Sequence, residues 1–293
     1  MQPQFEISVI LAEAKENPDL GGALAAIEHA CAGLLAEVIV VRPRGREALP
    51  ASSALAIREV VAGEETLVPE RWGLGVAVSR APVFGCLTSE LFVRPDWART
   101  LIGALNQGAA GAAGTIAIVP HAGMVAAAVY LVRFNAFLPR RDPGAESTGN
   151  IPGDAAAYRR DAVLAYPELL AEGFWEAEFH RRFRADGIGM TMFNQPLAAF
   201  NSAITLRSAM TVRARHGHGF GVTRVTRYRE SALRLLLAAP AVPLVLFARL
   251  LQRAARSSGA FVLAVRSFPA LILLCGAWAW GEATGAWAAR SAR

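Results

Sequence analysis

Short apolar runs alternate with helical segments over the first 230 residues, and this alternation restricts the possible folds more than any other feature. Phe5–Leu11 and Glu37–Val41 are largely apolar runs of strand length, and apolar residues at helical spacing fill Leu20–Leu35 between them. Such runs are typical of strands that a parallel sheet buries on both faces. The order predicts an α/β fold with a mostly parallel sheet flanked by helices, whose ligand site lies beyond the carboxyl ends of the strands.

The alternation continues downstream. The pattern predicts short strands at 66–68, 75–78, 83–87 and 114–119, and helices at 97–107, 125–137, 161–170 and 176–185. A strand-like stretch at 190–199 leads into an arginine-rich segment, Arg207–Arg229. We therefore predict a single α/β domain over residues 1–230.

The remaining residues, 231–293, contain two long apolar runs. Leu235–Ala248 is interrupted by two prolines, and Ser267–Gly281 is followed by Glu282. Each run is shorter than the roughly 20 apolar residues of a spanning helix. Three tryptophans have the character of interfacial anchors, Trp278, Trp280 and Trp287. These features predict a hydrophobic helical hairpin that attaches the chain to the cytoplasmic face of the cell membrane. The alternative is a helical pair that packs on protein.

Composition excludes several classes of protein. With 54% hydrophobic and 18% charged residues, the chain is not intrinsically disordered. Its three cysteines are far apart, which argues against a disulfide framework or a structural zinc site and favours a reducing compartment. The net charge of +6 comes almost wholly from arginine, but no nucleic-acid recognition motif accompanies it. We predict no nucleic-acid partner.

Five motifs follow one another in an order that resembles a known family. They are Ile7-Ser-Val-Ile-Leu with Glu37-Val-Ile-Val-Val, Thr88-Ser-Glu before Pro95-Asp-Trp, Gly153-Asp-Ala-Ala-Ala-Tyr-Arg-Arg, Gly173-Phe-Trp-Glu-Ala-Glu, and Trp280-Gly-Glu-Ala-Thr-Gly. The set resembles the family 2 glycosyltransferases, in particular their membrane-associated members. The resemblance implies the GT-A fold, a nucleotide-sugar donor, a lipid-linked or saccharide acceptor, and inversion at the anomeric carbon.

The resemblance also implies residues for the donor. Glu90 falls on the metal-binding position of the family, so it implies Mg²⁺ or Mn²⁺. Such hard cations take oxygen ligands, and often only one or two carboxylates besides substrate phosphates. Only Glu90 carries a charge in Thr88-Ser89-Glu90, so the motif is degenerate, and arginines are an alternative means of neutralising the diphosphate. Arg42 replaces an aspartate that contacts the nucleobase, and Glu13 follows the first strand; a surface role remains open for both.

On the acceptor side, the resemblance implies Glu176 as the general base. An inverting transfer needs a base that removes the proton of the acceptor hydroxyl during attack. Glu178 matches a second acid, with an orienting role, and Asp154 lies in a turn where it would contact donor or acceptor. For the two glutamates the structural alternative is their favourable position at a helix N-terminus.

Arg213 and Arg215 lie in a segment with His216, His218 and three glycines. One interpretation is a mobile lid that closes over the diphosphate. The other is a basic collar that contacts anionic lipid headgroups.

The sequence thus predicts a membrane-associated glycosyltransferase. The alternative is a catalytically degenerate GT-A domain that serves as a binding or scaffold subunit of a polysaccharide assembly. A Rossmann oxidoreductase is disfavoured because no GxGxxG motif follows the first strand.

Overall fold

The computed structural model describes residues 5–14, 19–49, 55–139, 144–257 and 259–291. These residues divide into two compact units. The first consists of the described residues of 5–119 and 144–201, and the second of the described residues of 120–139 and 202–291.

The first unit is built on one sheet. Its strands are β1 (Ile7–Ala12), β2 (Ala36–Pro43), β3 (Ala56–Ala62), β4 (Val83–Thr88), β5 (Leu91–Val93), β6 (Gly111–Ile118), β7 (Ala145–Thr148), β8 (Ala156–Arg159) and β9 (Met190–Phe200). Their order is β3-β2-β1-β4-β8-β6-β9-β5, and β7 pairs with β9. The strands β3, β2, β1, β4, β6 and β9 run in one direction, and β8, β5 and β7 oppose them. The predicted mostly parallel sheet is confirmed.

Helices flank this sheet. Those of the first unit are α1 (Leu20–Ala30), α2 (Val68–Val78), α3 (Trp97–Asn106), α5 (Arg160–Leu164), α6 (Pro167–Leu170) and α7 (Glu176–Ala185), while α4 (Met124–Phe134) belongs to the second unit. The carboxylate of Asp19 caps α1 by accepting a hydrogen bond of 2.8 Å from the Gly22 N–H. The prediction of a helix at 176–185 is confirmed to the residue, with acids in its first turn and arginines in its last, as the helix dipole favours.

The strands predicted at 66–68 and 75–78 are wrong, because α2 occupies this part of the chain. Pro69 suits the first turn of a helix, and the Glu70 carboxylate accepts a hydrogen bond of 2.6 Å from the Leu67 N–H. Gly75 lets the helix lie directly on β1, since a Cβ there would collide with Ile10. The edge strand β3 was not predicted, and its side chains are largely exposed or half-buried.

The second unit is helical. Besides α4 it contains α8 (Leu206–Thr226), α9 (Ala232–Ala238), α10 (Val242–Ala254), α11 (Ala260–Arg266) and α12 (Phe268–Ser291). α8 packs along α12 at backbone contact. A Cβ at Gly217 or Gly221 would collide with the backbone of α12, and one at Gly281 or Gly285 would collide with the backbone of α8. The predicted domain boundary was at residue 230, whereas this contact joins residues 202–230 to the helices that follow them.

The C-terminal helices are present, but as four segments instead of two. Pro240 separates α9 from α10, and Gly259, with a φ of 77°, precedes α11. Within the described residues, no individual helix combines the length and apolar character needed to cross a bilayer. Two consecutive pairs meet that requirement jointly, α9 with α10 and α11 with α12, but they bend by 68° and 83°.

Candidate active site

The carboxyl ends of three parallel strands form the edge at which the predicted donor residues lie. Ala12 of β1 is in register with Val41 of β2 and with Thr88 of β4. Two hydrogen bonds connect the loops after β1 and β4: Ser89 N–H donates to the Ala12 carbonyl (3.1 Å), and Ala14 N–H donates to the Ser89 hydroxyl (2.8 Å). The fold therefore brings the segments that carry Glu13, Arg42 and Glu90 to a common edge.

Glu13 and Arg42 are both buried and form an ion pair at this edge. The Arg42 Nη1 lies 3.7 Å from the Glu13 Oε2, and the Arg42 Nη2 donates to the Glu59 Oε2 at 3.0 Å. Arg46 lies 3.9 Å from the other oxygen of Glu13. The two residues predicted to contact the donor thus contact each other, and Glu59 of β3 was not found from the sequence.

Arg71 of α2 is a further buried arginine that the sequence analysis missed. Its Nη1 donates a hydrogen bond of 2.7 Å to the Glu13 carbonyl oxygen. Burial, followed by the positive charge of Arg46, lowers the pKa of the Arg71 guanidinium. Together Arg42, Arg46 and Arg71 place three cations beside two carboxylates, which is a suitable environment for an anionic phosphate.

Glu90 lies in the turn between β4 and β5 and is buried. Its carbonyl oxygen accepts a hydrogen bond of 2.8 Å from the Asn201 N–H, which ties this turn to the end of β9. Among the described residues, no group of three or more histidine, cysteine, aspartate or glutamate side chains forms a potential metal cluster. A role for Glu90 in holding Mg²⁺ or Mn²⁺ stays a prediction.

The loop that carries Asp154 is fixed against the carboxyl end of β4. Ala155 has a φ of 55°, and its N–H donates to the Cys86 carbonyl at 2.8 Å. The indole of the fully buried Trp97 donates to the Ala155 carbonyl at 2.9 Å. These two bonds hold a left-handed residue beside the buried Asp154, a conformation uncommon for a residue with a Cβ.

Glu176, the predicted base, lies against the same loop. A Cβ built on Gly153 would lie 2.6 Å from the Glu176 Cγ and 2.7 Å from its Cδ, so only glycine leaves room for this side chain. Burial raises the pKa of the Cys86 thiol well above its ordinary value, and the negative charges of Asp154 and Glu176 raise it further. Asp154 and Glu176 therefore both lie near the carboxyl end of β4.

Glu178 has different neighbours. Its Oε2 accepts a hydrogen bond of 2.8 Å from the Arg181 Nη2, one turn further along α7. Residues two apart on a helix point in different directions, so Glu178 does not share the direction of Glu176.

A chain of three hydrogen-bonded polar side chains begins one helical turn beyond Glu176 and was not predicted from the sequence; Tyr158 and His180 are fully buried, and Asn150 is exposed. Both ring nitrogens of His180 form hydrogen bonds. Nε2 lies 3.0 Å from the Tyr158 hydroxyl, and Nδ1 lies 2.9 Å from the Asn150 Oδ1. Burial and the nearby Arg184 lower the pKa of His180 to about 3, so the ring is neutral. Since Asn150 Oδ1 is an acceptor, Nδ1 carries the proton and the Tyr158 hydroxyl donates to Nε2. The only sequence signal was the spacing of four between Glu176 and His180, which places them on one face of α7.

Arg213 and Arg215 lie on α8, in the second unit. One interpretation of this segment was a mobile lid and the other a basic collar; in the structure its residues form a continuous helix whose Gly217 and Gly221 pack on α12. The Arg213 guanidinium lies over the Trp278 ring, 4.3 Å from its centroid. A role for the two arginines in donor binding stays a prediction.

Comparison with known proteins identifies a shared fold. No protein-family model matches the chain, and no curated protein is similar to it in sequence. Residues 1–349 of TarS from S. aureus in complex with UDP-GlcNAc are similar in structure, with a TM-score of 0.50 at 8% identity, over 92% of this chain and 90% of that one. The same protein without ligand and with UDP gives TM-scores of 0.46 and 0.47, at 9% and 8% identity and with the same coverage. The predicted fold class, a glycosyltransferase-type α/β fold followed by C-terminal helices, is confirmed.

Proposed function

We propose that this chain is a glycosyltransferase of the GT-A type that moves a sugar from a nucleotide-sugar donor to a lipid-linked or saccharide acceptor, with inversion. The observation that carries the proposal is the position of Glu176 and Asp154 near the carboxyl end of β4, at the edge that Glu13, Arg42 and Glu90 also approach. Ligands of open α/β sheets bind at this edge. The fold supports the proposal as well, because one protein of similar structure, TarS from S. aureus, was crystallised with UDP-GlcNAc.

In the proposed reaction, the acceptor hydroxyl oxygen attacks the anomeric carbon of the donor. The bond from that carbon to the diphosphate breaks, the nucleoside diphosphate leaves with the electron pair, and Glu176 takes the proton of the hydroxyl. A carboxylate held by a close-packed glycine needs little reorganisation to reach this geometry. Asp154 is proposed to orient the donor sugar or the acceptor, and Glu178 to support α7 through Arg181.

The diphosphate is the most anionic part of the donor, and the arginines beside Glu13 supply the opposite charge. We propose that Arg42 contacts the donor by exchanging part of its pairing with Glu13 for a phosphate oxygen, with Arg71 close by. Mg²⁺ or Mn²⁺, if bound, would neutralise the charge that develops on the leaving group. Glu90 would hold the cation together with phosphate and water oxygens.

The second unit is proposed to attach the enzyme to the cytoplasmic face of the cell membrane, which is where a lipid-linked acceptor would be presented. Exposed leucine, valine, phenylalanine and tryptophan side chains of α9 to α12 support this location.

A binding or scaffold role is the second candidate. It is favoured by the mutual pairing of Glu13 and Arg42 and by the lack of a three-residue metal cluster among the described residues. One experiment separates the candidates: a panel of nucleotide-sugars is tested for thermal stabilisation of the chain, and the best binder is then tested for hydrolysis or transfer with Mg²⁺, Mn²⁺ or chelator. Turnover supports the enzyme, specific binding without turnover supports the scaffold, and no binding refutes both.

A further inference from the structure

Positive charge is concentrated in the C-terminal part of the chain. Residues 202–291 contain 12 arginines and two acids, a net charge of +10, whereas residues 1–201 contain 17 basic and 22 acidic residues, a net charge of −5. The helices α8 to α12 therefore form a cationic module in an otherwise acidic protein. A surface of this sign attracts anionic lipids.

The same module exposes large apolar side chains in a regular stripe along α12. Leu273, Trp280 and Trp287 are 43%, 71% and 57% exposed, and they follow one another at intervals of seven residues, which is close to two turns. The positions of α12 that face α8 are 278, 281, 282, 285 and 286. At 3.6 residues per turn they lie on the opposite side of the helix from the stripe. One face of α12 thus contacts α8, and the other presents tryptophans to the surroundings.

The neighbouring helices expose large apolar side chains as well. Their exposed large apolar residues are Leu233 and Leu237 on α9, Leu244 and Val245 on α10, and Phe261, Val262 and Val265 on α11. Exposed arginines accompany them on or directly after α10 and α11: Arg249, Arg253, Arg256 and Arg266. Tryptophan, phenylalanine and leucine combined with arginine are typical of helices that lie in the membrane interface.

The packing of α8 on α12 argues against a transmembrane orientation. α12 meets α8 at backbone contact over two turns, and Glu282 of α12 forms an ion pair with Arg224 of α8. If α12 crossed the bilayer, α8 would enter the hydrocarbon with it, together with Arg207, Arg213 and Arg215. Charged side chains at that depth are costly. An orientation parallel to the membrane keeps α8 out of the hydrocarbon and leaves the exposed Arg207 and Arg215 in water.

We propose that the second unit binds an anionic bilayer from one side, with α12 parallel to the membrane plane, its leucine–tryptophan stripe in the interface, and the exposed arginines on or directly after α10 and α11 at the lipid phosphates. This inference deepens the membrane attachment proposed above by assigning its mode, its surface and its lipid class. In this orientation Leu273, Trp280 and Trp287 all lie at the same depth in the bilayer. A spanning helix would instead carry its tryptophans at its two ends, at the two membrane surfaces.

The first test measures binding of the purified full-length chain to vesicles by co-sedimentation. Vesicles of phosphatidylcholine with about 30% phosphatidylglycerol should bind the chain, vesicles of phosphatidylcholine alone should bind it more weakly, and salt should weaken the binding by screening. Trp280→Ser should lower the partition coefficient by about tenfold or more, since the side chain leaves the interface. Val61→Ser is the matched control: Val61 is 49% exposed on β3 of the first unit, and its replacement should have no effect.

The second test measures depth and sidedness. Lipids brominated near the headgroup should quench Trp280 more than lipids brominated near the chain ends, and Trp280→Phe should bind normally while it loses that quenched signal. Protease added outside sealed vesicles should leave no protected fragment, and alkaline carbonate should release the chain.

Three results would overturn the inference: a protected fragment resistant to carbonate, equal binding by the Trp280→Ser variant, or a dimer in solution that Trp280→Ser dissociates without any vesicle binding. Donor binding is measured in the absence of lipid, so a failure of this inference leaves the proposed transferase activity separately testable.

Discussion

Replacing Gly153 by alanine should move the proposed base without removing it. The added Cβ would lie 2.6 Å from the Glu176 Cγ, whereas ordinary van der Waals contact begins at 3.4 Å. The Glu176 side chain must therefore retreat by about 1 Å, and a displacement of that size costs on the order of 10²-fold in rate when the displaced group takes part in the chemistry. Because Glu176 is half-buried at the start of α7 and does not belong to the buried core, we expect the fold to tolerate the change.

The assay is steady-state transfer with the best donor found in the nucleotide-sugar panel. For Gly153→Ala we expect kcat to fall by about 10²-fold with a nearly unchanged donor KM, because the proton moves only in the transition state. Gly103→Ala is the matched control: Gly103 lies within α3, where an added Cβ meets nothing within 4 Å, and kcat should not change.

A double-mutant cycle tests whether Gly153→Ala acts through Glu176. If Gly153→Ala acts only through Glu176, it should cost little more in the Glu176→Gln background, since the group that it displaces is already inactive. A wild-type kcat for Gly153→Ala, or full additivity of the two changes, would refute the proposed contact between this glycine and the base.

Three further predictions follow from the same contacts. Glu176→Gln should lower kcat by roughly 10²–10⁴-fold while donor binding is kept, and Glu178→Gln should lower kcat by less. If, in the same transfer assay, Glu178→Gln is inactive and Glu176→Gln is active, the base is Glu178. Glu90→Gln should weaken donor binding in Mg²⁺ or Mn²⁺ but not in chelator, as measured by calorimetry. If the substitution leaves donor affinity unchanged both with metal and with chelator, arginines neutralise the diphosphate. Folding lowers the pKa of His180 from 6.5 to about 3, so between these pH values the unfolded chain binds a proton that the folded chain does not. The stability that the neutral ring contributes is therefore fully present above about pH 6.5 and is lost as the pH falls towards 3. Denaturant titrations should show this loss, at most about 1.4 kcal/mol per pH unit, in the wild type, and His180→Gln should reduce the slope.

Local patterns determined most of the α/β unit. The apolar runs at β1 and β2 and the acids and arginines at the two ends of α7 each favour the conformation that the structure contains. The ordered motifs also predicted the fold class, because each motif lies at the end of a strand or at the start of a helix. These signals are properties of neighbouring residues, so they are readable without any tertiary contact.

Predictions from local sequence fail where tertiary contacts override local preference. Residues 75–78 have the composition of a strand, but the close approach of Gly75 to Ile10 stabilises them as the end of a helix on β1. The glycines of Arg207–Arg229 predict flexibility when read alone. They lie in a regular helix because Gly217 and Gly221 provide the space into which α12 fits.

The candidate site divides in the same way. Local sequence was enough to select the candidate acids and arginines, since their chemistry and their place after strands or at a helix start are local facts. Which residues meet depends on the tertiary structure: Glu13 contacts Arg42, and Glu176 contacts the loop at Gly153. The contacts of His180 with Tyr158 and Asn150, which no motif indicated, depend on it as well. Each of these contacts joins segments at least 22 residues apart, and its existence depends on strand order and helix docking, which no local pattern encodes.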